Sequence, residues 1–390
     1  MKIKTGQKSR IHSIDATRGL VMIIMALDHV RDYMHVNSLT QSPTDLSTTT
    51  PALFFTRWIT HICAPTFVFL AGTSAFLSAN KNNDISAARK FLWSRGVWLI
   101  FLEFSIVNFA LWFDVQYRTL IFEVIGTIGF GFIVLAMLLK LAPGTIGIIG
   151  ISIIVFHGLI PLLPFASNSI IAALFSPGVT QTTAQFMFVM AYPPIPWLGI
   201  MLAGFAAGKL FKKEQTARRN IFLKIGLSAL LLFVIIRLIN IYGDPVPWSQ
   251  QKNMIYSFLS FMNISKYPPS LLFCLATLGI TFLLLTLFET LRNKITGILS
   301  TYGSVPLLYF IVHLFVIHGI MLLMVFMQGY SFHELEFSNF KLGRPVAKSG
   351  VSLATIYMIW ILVVGMMYPV CYWYRNFKAA HKEKTWPKYF

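Results

Sequence analysis

The chain has 390 residues, 56% of them hydrophobic and only 12% charged, with mean hydropathy +0.68. A soluble domain carries about 25% charged residues, so this composition excludes a globular enzyme and specifies an integral membrane protein. The net charge of +18 does not indicate nucleic acid, because the basic residues form short clusters between apolar runs, as cytoplasmic loops do.

Apolar runs of membrane-crossing length (~20 residues) are expected at 14–35, 53–79, 91–113, 119–141, 145–164, 190–211, 221–241, 270–291, 302–327 and 353–374. The expected fold is therefore all-α and polytopic, with about ten transmembrane helices. A short basic segment, 1–13, precedes one membrane domain, 14–374, and a basic tail, 375–390, follows it. The first run lacks the cleavage site of a signal peptide, so residue 1 is expected to stay attached. Alternating the loops puts 22 Lys and Arg on one side and eight on the other, with Arg18 and Arg237 inside spans. Both termini are then expected in the cytoplasm. The opposite loops, 37–52, 165–189, 243–269 and 328–351, are longer, and prolines cluster at their edges ("AYPPIPW", "GDPVPW", "SKYPPS"). Gly72, Gly199, Gly204 and Gly208 are expected to permit close helix packing.

The first span carries the strongest anomaly. In "RGLVMIIMALDHVRDYMH" an apolar stretch follows Arg18, then Asp28, His29, Arg31, Asp32 and His35 arrive within eight positions. Ionisable groups at membrane depth are costly unless paired or wetted, and are functional candidates by default. By depth, His61, Asn108, Asp114, Arg118 and Glu123 join this cluster near the outer face, whereas Asp15 and Arg18 lie near the cytoplasm and Glu103 and His313 near mid-membrane. Arg18 and His29 are eleven residues apart, so they point within about 20° of each other and are separated by a rise of about 16 Å. One stripe of the helix thus joins a permanent cation at one end to an imidazole at the other. Plainer roles stand beside this one: Arg18 pairing with Asp15 or lipid phosphate, and His29 as an interhelical hydrogen-bonder. Cys63, Cys274 and Cys371 sit in apolar runs without metal-type spacing, and the spacing of Asp28, His29, Asp32, His35 and His61 has no specific metal signature. No metal is expected.

The segment "RIHSIDATRGLVMIIMALDHVRDY" resembles the opening of the membrane acyltransferases related to heparan-α-glucosaminide N-acetyltransferase, in their bacterial branch. The likeness continues through "RWITHICAPTFVFLAGTSAFLS", "YPPIPWLGIMLAGFAAGKLF", "KYPPSLLFCLATLG" and "YGSVPLLYFIVHLFVIHG". Arg18, ten residues and then His29 is more remotely similar to the arginine–histidine motif of acyltransferase family 3. The resemblance implies transfer of an acyl group, in the first instance acetyl, from cytoplasmic acyl-CoA to an extracytoplasmic saccharide or glycolipid across a bacterial inner membrane. It implies that Arg18, with Asp15, Arg95 and Lys209, serves the donor's phosphates, and that His29 is the base, oriented by Asp28 or Asp32. In the lysosomal branch the position of His29 looks like asparagine and the catalytic histidine follows later, so His35 and His61 stand as rivals. Glu103, Glu123 and His313 are supporting candidates. Expected partners are the bilayer, acyl-CoA and the glycan acceptor, with self-association and an acyl-histidine intermediate left open. A transporter for a polar or anionic solute is the alternative, its buried charges lining a permeation path.

Overall fold

The computed structural model describes residues 11–80, 84–162, 170–181, 183, 186–337, 341–346, 349–381 and 383–384. The basic segment expected at 1–13 and the tail at 375–390 therefore lie partly outside the described residues, as does part of the 165–189 loop.

Small polar residues and prolines set the helix starts. The side chains of Thr50, Asp84, Asn253, Ser270, Asn293 and Ser352 each accept a backbone N–H of the first turn. Pro51, Pro143, Pro194 and Pro306 occupy first-turn positions, where a missing N–H costs nothing. The chain runs α1 (His12–Met34), α2 (Pro51–Thr60), α3 (Cys63–Ala79) and α4 (Ile85–Leu102). A π-helical turn, Glu103–Val107, leads into α5 (Asn108–Trp112). Then follow β1 (Thr119–Phe122), α6 (Val124–Leu138), α7 (Pro143–Phe156), α8 (Ile170–Phe175), β2 (Gly178–Gln181), β3 (Met187–Met190) and α9 (Pro194–Ala207). The rest is helical: α10 (Gln215–Ile239), α11 (Met254–Met262), α12 (Leu271–Thr290), α13 (Lys294–Gly303), α14 (Pro306–Met327) and α15 (Leu353–Ala380).

Each of the ten apolar runs contains helix, although 53–79 is divided between α2 and α3 and 119–141 begins on β1. Eight helical rods are long and apolar enough to cross a membrane. The other two runs each miss one requirement: α1 has 23 residues but carries Asp15, Arg18, Asp28, Arg31 and Asp32, and α6 is apolar but has 15 residues. The protein is an all-α polytopic membrane protein with one small sheet, in which β3 pairs in parallel with β1 and antiparallel with β2. The sequence did not announce that sheet, nor the breaks between α2 and α3 and between α13 and α14. The last helix continues past position 374 to Ala380, so Lys378 stays on α15.

α1 packs against α2, α3, α12, α13, α14 and α15 and buries residues around its whole circumference, as a central helix must. In a bilayer, helix association rests on van der Waals packing rather than on the hydrophobic effect. Gly19 of α1 and Gly303 of α13 show how: a Cβ on Gly19 would fall on the carbonyl of Leu299, and one on Gly303 on the carbonyl of Asp15. Gly72 and Gly204 let α3 and α9 approach in the same way.

Candidate active site

The last two turns of α1 hold an ionic cluster. Arg31 Nη2 lies 2.8 Å from Asp28 Oδ1 and 2.7 Å from Asp32 Oδ1, and Arg57 of α2 donates to the other oxygen of Asp28. Asp28 and Arg31 are buried, so each charge is compensated within the fold. Arg344, fully buried, closes the helix end by donating to the carbonyls of Tyr33 and His35, each at 3.0 Å. Burial pushes this guanidinium down to about 10.

His29 turns away from these carboxylates. Its Nδ1 is 2.8 Å from Nε2 of His313 on α14, and the two rings stack with centroids 5.0 Å apart. His313 Nδ1 in turn lies 2.9 Å from the carbonyl of Tyr309. A carbonyl only accepts, so His313 carries its proton on Nδ1 and, when neutral, presents a lone pair on Nε2. His29 must then donate from Nδ1, which leaves its own Nε2 as the basic nitrogen. Asp28 is engaged by Arg57 and Arg31 and Asp32 by Arg31, while the side chain hydrogen-bonded to His29 is His313.

Three cavities lie in series along α1. A chamber of about 190 Å³ is lined by Asp28, His29, Asp32, Arg57, Glu123 and Lys266, among others. It shares Asp32, Arg57, Lys266 and Tyr267 with a basin of about 380 Å³ that also takes in Arg31 and His61. On its other side it abuts an elongated cavity of about 340 Å³ across Met25, Phe67, Val124 and Phe310, which line both. That long cavity is apolar through its body, with Arg18, Arg95 and Lys378 in its wall. Arg18 donates to the carbonyl of Gly303 (3.2 Å) and the hydroxyl of Ser74 (3.1 Å) and pairs with Asp15 at 3.5 Å.

The structure thus brings His29, Asp28, Asp32 and Glu123 into one chamber, with His61 in the adjoining basin and Arg18 and Arg95 in the long cavity. It joins His313 to His29 and Asp15 to Arg18, but leaves Glu103, His35 and Lys209 outside the three cavities. Glu103 is fully buried and accepts the amide of Gly126 at 2.5 Å, so it caps α6. His35 accepts the amide of Asn37 at 3.3 Å and lines none of the three cavities, and Lys209 lines none either. Sequence reasoning missed Arg57, Lys266 and Lys378. Arg57 and Lys266 lay in stretches quoted for their neighbours, "RWITHICAP" and "SKYPPS". Lys378 was counted only as a basic tail residue. Among the described residues no group of three or more His, Cys, Asp or Glu is arranged to hold a metal ion.

None of the curated proteins matches the chain. The family model described as "Heparan-alpha-glucosaminide N-acetyltransferase, catalytic" matches residues 10–238, which carry α1 to α10 and with them Arg18, Arg57, His29 and Glu123. Since that match covers more than half of the 390 residues, the chain belongs to this family of membrane acetyltransferase-type proteins.

Proposed function

We propose that the protein moves an acyl group, acetyl in the first instance, from cytoplasmic acyl-CoA to a hydroxyl or amine of an extracytoplasmic saccharide or glycolipid. The supporting observation is that a long apolar cavity with cations in its wall and a polar basin meet the same chamber, at His29. A slender pantetheine arm suits the long cavity, and Arg18, Arg95 and Lys378 suit phosphates at its mouth. The asymmetry of 22 against eight basic residues supports a cytoplasmic donor side and a bacterial inner-membrane location.

His29 Nε2 takes the proton of the incoming nucleophile, while His313 holds the ring in the tautomer that permits it. Arg57 and Arg31 engage both carboxylate oxygens of Asp28, so it does not compete for that proton. The family membership supports acetyl-CoA as donor. A rival reading as a transporter draws on the serial cavities themselves, which resemble a permeation path. The experiment that separates them is ligand-dependent melting of the purified protein. Acetyl-CoA at one hundred times its Kd should add about 2.7 kcal/mol of stability. Absence of any shift at millimolar ligand, with solute uptake into vesicles, would sink the transferase reading.

A further inference from the structure

Two cations line the chamber beside His29, and their situations differ. Arg57 is committed to Asp28 and to the hydroxyl of Thr60. Lys266 makes no ion pair among the described residues. Its ammonium sits 5.5 Å from the ring centre of Tyr192 and 4.9 Å from that of Tyr267, and the residue is only 9% exposed. Two aromatic faces steady a cation without consuming its three N–H donors on an anion. Lys266 also belongs to both the chamber and the basin, so it stands where the two meet. It lines the same chamber as His29 and Glu123.

Acyl transfer creates negative charge that something in the chamber must meet. The backbone amides around His29 are used within α1, which leaves the cationic side chains of the chamber as candidate donors. We propose that Lys266 is that donor, a catalytic residue that holds the oxyanion of the tetrahedral intermediate. This rests on the acyl-transfer reading. In the step, the acceptor oxygen or nitrogen bonds to the thioester carbon and its proton passes to His29 Nε2. The carbonyl π pair moves onto oxygen, where the Lys266 ammonium donates to it. Collapse re-forms the carbonyl, breaks the C–S bond and returns the proton from His29 to the departing thiolate. The low-dielectric surroundings make the contribution of this donor larger than it would be in water.

A ketone analogue tests this without knowledge of the acceptor. S-Trifluoroacetonyl-CoA adds water to give a tetrahedral gem-diol with acidic hydroxyls, whereas acetyl-CoA keeps a planar carbonyl. Calorimetric titration of both ligands against the full-length protein reads the difference. Lys266→Met should lose roughly 10²–10³-fold in affinity for the ketone, the usual worth of one oxyanion donor, with acetyl-CoA affinity unchanged. Lys266→Arg, which keeps the charge and the tyrosine contacts, should recover part of the loss and guards against a folding defect. Equal loss for both ligands would make Lys266 a donor-binding or structural residue, and no loss for either would leave it only balancing charge. If the wild-type protein binds neither ligand, the acyl-CoA reading falls, and the role of Lys266 with it.

Discussion

The two ends of α1 are built on opposite principles. At the Arg18 end the helix is fixed by backbone against backbone, through Gly19 and Gly303, and the adjoining cavity is apolar. At the His29 end it is fixed by ion pairs among Asp28, Arg31 and Arg57 and by hydrogen bonds from Arg344 to its last carbonyls, and the adjoining chamber is charged. One helix therefore borders an apolar cavity and, abutting it, a charged chamber, with Arg18 and His29 about 16 Å apart along its axis. The proposed function would separate binding from chemistry along this single element, and substitution can test that separation.

The largest effect should come from His29→Ala. Turnover should fall by ~10²–10⁴, the usual worth of a general base, while calorimetry finds acetyl-CoA affinity unaltered. His35→Ala, outside the cavities, should transfer as wild type does. Full activity in His29→Ala with loss in His35→Ala would move the base down the chain and erase the division of labour.

Next in size is Arg18→Ala. It should weaken acyl-CoA binding by roughly 1.5–3 kcal/mol, the range for a hydrogen bond to a charged group, and leave the turnover of bound donor alone. Arg18→Lys should restore part of it, since an ammonium lacks the planar fork. An unchanged Kd with a lowered rate would show that the two ends do not divide their roles.

A third substitution probes the packing itself. Gly303→Ala puts a methyl group into the backbone of α1 beside Asp15 and should cost about 1–3 kcal/mol through overpacking. It would be read as a lowered melting temperature in detergent, with weaker donor binding because Arg18 donates to the Gly303 carbonyl. A Tm equal to wild type would mean that α13 does not press on α1 as described.

The smallest effect concerns acid. Asp114, in the loop after α5, is pulled upward by burial, but hydrogen bonds from the Arg118 side chain and from loop amides prevail and hold it below the usual carboxylate range. A depressed carboxyl contributes stability above its unfolded value of about 3.9, and that stability disappears as pH falls through the folded value. The contribution should be about 0.2–1 kcal/mol, because the partner Arg118 remains in contact with solvent. Thermal melts from pH 6 to 3 should show a steeper decline in wild type than in Asp114→Asn.

Much of this was legible in the sequence, because lipid imposes a long apolar run on every crossing and makes each buried charge conspicuous. The ten runs and the Arg18–His29 stripe follow from that alone. Partners across helices were not legible. Arg57 meets Asp28 at a separation of 29 residues and His313 meets His29 at 284, and no local rule reports such distances. Lys266 was hidden for the same reason: its sequence neighbours Ser265 and Tyr267 say nothing of Tyr192, 74 residues away, or of the chamber it lines. The break before Pro306 was also obscured, since an apolar run reads alike whether the helix continues or restarts.

The four side chains that separate the long cavity from the chamber have an electrical consequence. If solvent fills the basin on one side and reaches the sleeve on the other, the membrane potential falls mainly across the thin layer of Met25, Phe67, Val124 and Phe310. A unit charge crossing it against 100 mV would meet about 2.3 kcal/mol, on top of the cost of leaving water. A neutral acyl group carries no such charge and meets no such field. On the proposed acyl-transfer reading, the acyl group would leave and the thiol's new proton would return within neutral molecules, so the rate should be indifferent to voltage.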